Sequence, residues 1–150
     1  MLLCVCFSRA ILTVCISVIP QILVTVPATL VRRCKSHFHN TELGVSFVFG
    51  VNGVAWIYPS ALDVVAAHTS GDASAPAPAA PPKITAEVRS RMARVRNCFV
   101  VLAAHGVAVY PATVMAAYAA SVDTGVAVTE MLTPGIAEAL AAKARLVAQV

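Results

Sequence analysis

Apolar residues recur at helical spacing along the second half of the chain. Val88, Met92, Val95, Phe99 and Leu102 follow at steps of four, three, four and three, which puts them on one stripe of a helix that starts at Thr85 and faces a core. Gly106 stands where a left-handed C-cap would close it. Tyr110-Pro111 opens a second helix with proline at its first position, where no backbone donor is lost; Val114, Met115 and Tyr118 form its apolar side. Beyond Asp123-Thr124-Gly125, Thr133-Pro134 signals a third helix, striped by Ile136, Leu140, Ala144 and Val147. Alanine fills many other positions, favouring helix and permitting close helix contact.

The first half has another period. Ser46-Phe47-Val48-Phe49 and Val54-Ala55-Trp56-Ile57-Tyr58, rich in aromatic and β-branched residues, flank Gly50-Val51-Asn52-Gly53, the pattern of a β-hairpin. Asn52-Gly53 is the pair suited to positive φ, and Gly50 adds a position that another backbone can approach. Phe47, Phe49, Trp56 and Tyr58 are expected to be the hairpin's packing residues. Between the halves, residues 66–83 include the Gly, Ala, Ser and Pro run from Gly71 to Pro82, which cannot bury a core and is expected to be a disordered linker. The pattern predicts an α+β fold, a hairpin-centred small sheet packed on three helices.

Met1 to Leu30 carries one charge, Arg9, and 22 uncharged residues run from Ala10 to Val31. A membrane span needs about 20 apolar residues, but Pro20 and Pro27 interrupt this stretch. A secretory signal is the second local reading, although no cation precedes Arg9 and no small-x-small cleavage site stands out. This leader explains much of an unusual composition, 59% hydrophobic and 12% charged, with a mean hydropathy of +0.80.

The net charge of +4, with eight arginines against three lysines, permits phosphate contact without requiring it. Seven of these eleven cations form two groups: Arg32, Arg33 and Lys35 in a connector, and Arg89, Arg91, Arg94 and Arg96 on the first long helix. Each group is either a contact for RNA or a partner subunit, or a solvated surface. The five cysteines are an odd number without a regular framework, which points to free thiols in a reducing compartment. Cys34, His37 and His39 fall short of the four ligands a zinc site usually needs and read instead as a hydrogen-bonded approach to a strand. No metal or cofactor is expected. Glu42, Asp63, Asp72, Glu87, Asp123, Glu130 and Glu138 include no recognisable acid/base or metal-binding pair. No phosphate-cradling loop, nucleophile elbow or dinucleotide fingerprint is present. Cys98 and His105 would lie roughly 10 Å apart along a helix. The inventory is that of a protein that is not an enzyme.

The order of these blocks carries a resemblance. A basic connector ends in His37-Phe38-His39; Glu42 and Gly44 follow, then a strand, Gly-x-Asn-Gly, and Trp56-Ile57-Tyr58-Pro59. This resembles the KH region of RNA exosome cap subunits of the ribosomal RNA-processing protein 4 family. Arg91-Met92-Ala93-Arg94-Val95-Arg96-Asn97-Cys98 is similar to that family's Arg-x-Arg-Asn-Cys helix, and Glu130-Met131-Leu132-Thr133-Pro134-Gly135-Ile136 to the start of its last helix. The resemblance runs from about Ile22 to Val150. It implies a KH-like domain over 37–150, with 22–36 as the end of an S1 barrel and its connector, and 1–21 as an apolar leader of other origin.

The function so implied is a non-catalytic, RNA-binding cap subunit supporting 3′-to-5′ RNA processing and degradation, including rRNA maturation. Its partners would be RNA, the ring of RNase PH-like proteins and the other cap proteins, in nucleus, nucleolus and cytoplasm. KH domains that clamp RNA place a Gly-x-x-Gly loop between two helices. Here Gly50, Asn52 and Gly53 lie between strands, so the turn is expected to pack, in the family against the S1 barrel. The alternative is a membrane-anchored or secreted small protein whose leader is a targeting signal.

Overall fold

Phe47 and Phe49 point one way from their strand and Val48 the other, and this alternation sets the architecture. The structure, a computed structural model, describes residues 21–60 and 84–148. Strands β1 (Ile22–Thr25), β2 (Phe38–Asn40), β3 (Val45–Phe49) and β4 (Val54–Pro59) form one antiparallel sheet in the order β1-β4-β3-β2. Helices α1 (Ala86–Ala104), α2 (Pro111–Asp123) and α3 (Pro134–Ala148) follow. This is the α+β arrangement the sequence pattern predicts. The linker 66–83 and the leader up to residue 20 lie outside the described residues.

In the β3–β4 hairpin Phe47 is opposite Ile57, and Phe49 opposite Ala55. β1 runs along the far side of β4, with Ile22 opposite Ile57 and Thr25 opposite Val54. The stretch that resembles the end of a preceding barrel thus supplies an edge strand, and it buries Val24 and Val26 in the same core as the hairpin. Val24, Val45, Phe47, Phe49, Ala55 and Ile57 face the helices and are buried. Against them lie Val88, Met92, Val95, Phe99 and Leu102 of α1, all buried as the helical spacing predicts. Phe99 meets Phe47 edge-on at 5.6 Å between ring centres and Phe49 at 6.2 Å, the offset geometry that aromatic rings prefer.

The ends of α1 and α2 are chemically closed. The Thr85 hydroxyl accepts the Val88 N–H at 3.3 Å, an N-cap. At the other end Gly106, at φ 64°, donates to the Ala103 carbonyl while Val107 donates to that of Leu102, the paired bonds of a Schellman stop. Gly125, at φ 63°, closes α2 in the same way through Val122 and Ser121. At the start of α2, Thr113 Oγ1 accepts the Tyr110 N–H at 3.1 Å.

Two helical stripes differ from expectation. On α3, Leu140 and Ala144 are buried and Ile136 is half-buried, but Val147 is 37% exposed. Ala137 and Ala141 complete the buried face instead. On α2, Met115 is half-buried, and Thr113, Ala117, Ala120 and Ser121 join Val114 and Tyr118 inside. The cause is the same in both helices: small side chains define the contact, so the buried arc follows alanine rather than the largest apolar residue. The far end of α3 is tied down by Arg145, which donates to the His105 carbonyl at 2.8 Å, and by Tyr110, whose hydroxyl donates to the Val147 carbonyl at 3.0 Å.

Candidate nucleic-acid interface

The turn joining β3 to β4 uses its own polar groups. Gly53 N–H donates to the Gly50 carbonyl at 3.1 Å, Gly50 N–H donates to that of Val54 at 3.1 Å, and the Gly53 carbonyl accepts the Val26 N–H at 2.8 Å. Gly53 has φ 82°, and a Cβ there would stand 2.1 Å from the Val26 carbonyl oxygen. Both the torsion and the backbone of residues 26–28 therefore demand glycine at this position. Asn52 does not take positive φ, as no non-glycine described residue does. Its side-chain oxygen accepts the Val54 N–H at 3.2 Å instead, a local bond that holds the turn without a strained torsion. At Gly50 a Cβ would stand 2.8 Å from the Asn52 side chain, and no other strand comes close.

The four arginines of α1 separate by partner. Arg91 donates to the Leu43 carbonyl at 3.0 Å and lies 3.7 Å from Glu87. Arg94 donates to the Ser121 carbonyl and hydroxyl, both at 3.1 Å, joining α1 to the end of α2. Arg96 donates to Asn97 Oδ1 at 3.1 Å, and Asn97, itself buried, donates to the Val128 carbonyl at 2.8 Å. Arg89 is exposed, and its guanidinium bonds to no side chain or carbonyl among the described residues. In the connector, the Arg32 guanidinium lies 5.3 Å from the centre of the Tyr110 ring, a cation–π distance. Arg33 and Lys35 are exposed. The predicted cations thus fall into internal fasteners (Arg91 and Arg94 above all) and open ones, Arg33, Lys35 and Arg89.

Two histidines, His37 and His39, lie at the sheet. His37 Nδ1 is 3.2 Å from the Phe49 carbonyl, and the Phe49 N–H donates to the His37 carbonyl at 3.3 Å. His39 stacks on Phe49 at 5.2 Å and tilts against Phe47 at 5.5 Å. Its Nε2 is buried without a hydrogen-bond partner. Its pKa is lowered, chiefly by burial, with a smaller opposing effect from the Ser36 backbone and a further lowering by His37. Cys34 donates its thiol to the Arg32 carbonyl at 3.5 Å. Cys98 is buried among the core residues of α1, and burial pushes its thiol pKa up to about 12.

The four hairpin aromatics do not act together. Phe47 and Phe49 are core residues, whereas Trp56 and Tyr58 alternate to the opposite face of the sheet and are half-buried. The two-residue period of a strand carries this information; reading the hairpin as one packing unit loses it. Sequence reasoning also missed the Arg94–Ser121 and Asn97–Val128 bonds. Their members are 27 and 31 residues apart, and no local spacing marks them.

A family model for the KH domain matches residues 22–62. The chain is 32% identical over 124 residues to exosome complex component RRP4 of Bos taurus, covering 83% of this chain and 40% of that protein. It is 33% identical over 100 residues to exosome complex component RRP4 of Mus musculus, covering 67% and 32%. With an exosome complex component RRP4 homolog of Caenorhabditis elegans the identity is 30% over 89 residues, covering 59% and 28%. The chain therefore spans well under half the length of the relatives it matches. No described helix is long and apolar enough to cross a membrane.

Proposed function

Because the KH region of this chain is of the RRP4 type, we propose that it serves as a non-catalytic, RNA-binding cap subunit of the RNA exosome. In that role it supports 3′-to-5′ RNA processing and degradation, rRNA maturation included, in nucleus, nucleolus and cytoplasm. The observation that carries the proposal is the length of the similarity, 124 residues, which extends well beyond the KH match of 22–62. Its partners are RNA, the ring of RNase PH-like proteins and the other cap proteins.

Arg33, Lys35 and Arg89, exposed and open, are the cations best placed to meet phosphate; Arg32 and Arg96 contribute beside them. Arg91 and Arg94 hold the domain together. Gly50, Asn52 and Gly53 form a packing turn rather than a phosphate clamp, since the turn's glycine amides are already bonded within the chain. RNA contact then rests on a few charges, and the chain alone binds single-stranded RNA weakly, in the ~10⁻⁴ to 10⁻⁶ M range typical of non-specific association, with steep loss as salt rises.

Two measurements test this reading. The full chain, mixed with a reconstituted exosome ring lacking its RRP4-type subunit, co-elutes with it on size exclusion; failure to do so removes the cap assignment. A titration with single-stranded RNA at two salt concentrations gives weak, salt-sensitive binding. Tight, salt-insensitive binding overturns the account of the turn.

A further inference from the structure

Three segments far apart in sequence meet at one end of the domain: the connector after β1, the turn from α1 into α2, and the last turn of α3. Val31 bridges to Val109, the Arg32 N–H donates to the Val109 carbonyl at 3.0 Å, and the Val109 N–H donates to that of Leu30 at 2.7 Å. Tyr110 follows and links all three segments. Its ring centre lies 5.3 Å from the Arg32 guanidinium, and its hydroxyl donates to the Val147 carbonyl at 3.0 Å. From the same turn of α3, Arg145 donates to the His105 carbonyl at 2.8 Å, one of the acceptors that the end of α1 leaves open. Arg32, Arg33 and Arg145 are all exposed. A guanidinium carries five N–H donors, so the single bond of Arg145 leaves most of its donors for a ligand.

The described carboxylates lie away from this end. Glu87 is 3.7 Å from Arg91, and Glu42 adjoins Leu43, whose carbonyl accepts from Arg91; Arg91 stands about 21 Å before His105 along α1. Asp123 ends α2, about 18 Å from Pro111, and Glu130 lies in the loop beyond it. Glu138 sits about 10 Å before Arg145 along α3. We propose that this end of the domain is a phosphodiester-binding site for single-stranded RNA, in which Arg32, Arg33 and Arg145 contact phosphate and Tyr110 positions Arg32. The inference rests on the RNA-binding reading above and adds α3 to it, a helix whose cations that reading does not use. A guanidinium pairs bidentately with phosphate. Two that are already held by the fold, one on an aromatic ring and one on a helix end, have less freedom to lose on binding.

The test titrates the full chain with a short fluorescein-labelled oligouridylate at a series of salt concentrations. Loss of one phosphate contact lowers the slope of log K against log salt by about 0.7 for a single strand. Arg145→Gln is expected to show that drop, and Arg145→Lys, which keeps the charge, to restore most of it. Arg33→Gln, which tests the RNA reading itself, shows a drop of the same size. Tyr110→Leu leaves Arg32 charged but unplaced and weakens binding severalfold at low salt, whereas Tyr110→Phe, which keeps the ring, binds as the parent does. Helical circular dichroism and the melting temperature are recorded for each variant. A parent that binds no RNA overturns the RNA reading and this site with it. If Arg33→Gln lowers the slope and Arg145→Gln does not, the RNA reading stands and the shared site is overturned. The site is also overturned if Arg145→Gln changes only the melting temperature, which assigns the residue to the contact of α1 with α3. The same holds if it leaves RNA binding intact but blocks entry into the exosome ring, which assigns this end to an acidic protein surface.

Discussion

Two interfaces of this molecule are built on opposite principles. Where α1 meets the sheet, large side chains interlock: Phe47, Phe49, Ile57, Met92, Phe99 and Leu102 are all buried. Where α2 meets α3, the buried faces contain Ala117, Ala120, Ala137, Ala141 and Ala144, and the helices gain contact through proximity. The first interface tolerates nothing smaller, because a deleted ring leaves a cavity that close packing cannot refill. The second tolerates nothing larger, because an added side chain has no room. A fold can thus be held by volume in one region and by its absence in another.

The largest expected effect is at the first interface. Phe47→Ala removes a fully buried ring that touches Phe49, Phe99 and His39. It should lower the unfolding free energy by about 3–5 kcal/mol, measured by urea denaturation. A loss below about 1 kcal/mol would mean that the core collapses around the site. Next comes the turn at the edge of the same region. Gly53→Val combines a positive φ with a Cβ placed 2.1 Å from the Val26 carbonyl oxygen, and should cost about 2–4 kcal/mol. Gly53→Ala should recover only a small part of this, since the clash begins at Cβ.

Ala141→Leu probes the second interface and should destabilise by about 1–3 kcal/mol, although it raises apolar content. A melting temperature equal to or above that of the parent would show that α2 and α3 have slack, and the contrast between the interfaces would fail. A finer test compares two arginines of α1. Arg94→Ala removes two hydrogen bonds to Ser121, whose carbonyl keeps the Val126 N–H, and should cost about 1–2 kcal/mol. Arg89→Ala, at an open position, should stay within about 0.5 kcal/mol and instead weaken RNA binding.

The smallest effect is a pH dependence at β2. His39 is packed with Nε2 unpartnered, and its pKa in the folded protein lies below the ordinary value of 6.5. The unfolded chain therefore binds its proton first as pH falls. The contribution of neutral His39 is complete above about pH 6.5 and fades as pH drops through the folded pKa. The melting temperature should fall between about pH 7 and 5 in the parent and fall less in His39→Phe. Equal slopes would assign the effect to other groups.

The sequence by itself determined the elements and most of their limits. The 3.6-residue period of Val88 to Leu102 specifies the buried stripe of α1, and Thr85, Gly106, Pro111 and Pro134 mark helix ends, because caps and periodicity are local properties. The Gly-x-Asn-Gly turn and its flanking strands were legible for the same reason. Only the tertiary structure decided what each marked residue does. It bonded Arg91 and Arg94 inward and left Arg33, Lys35 and Arg89 open, and it assigned Trp56 to the face opposite Phe47. It placed the Val26 carbonyl where any Cβ on Gly53 would stand, and it replaced Val147 with Ala137 and Ala141 at the helix contact. These outcomes depend on which backbones come close across tens of residues, and a spacing rule that reaches four positions along the chain does not contain that information.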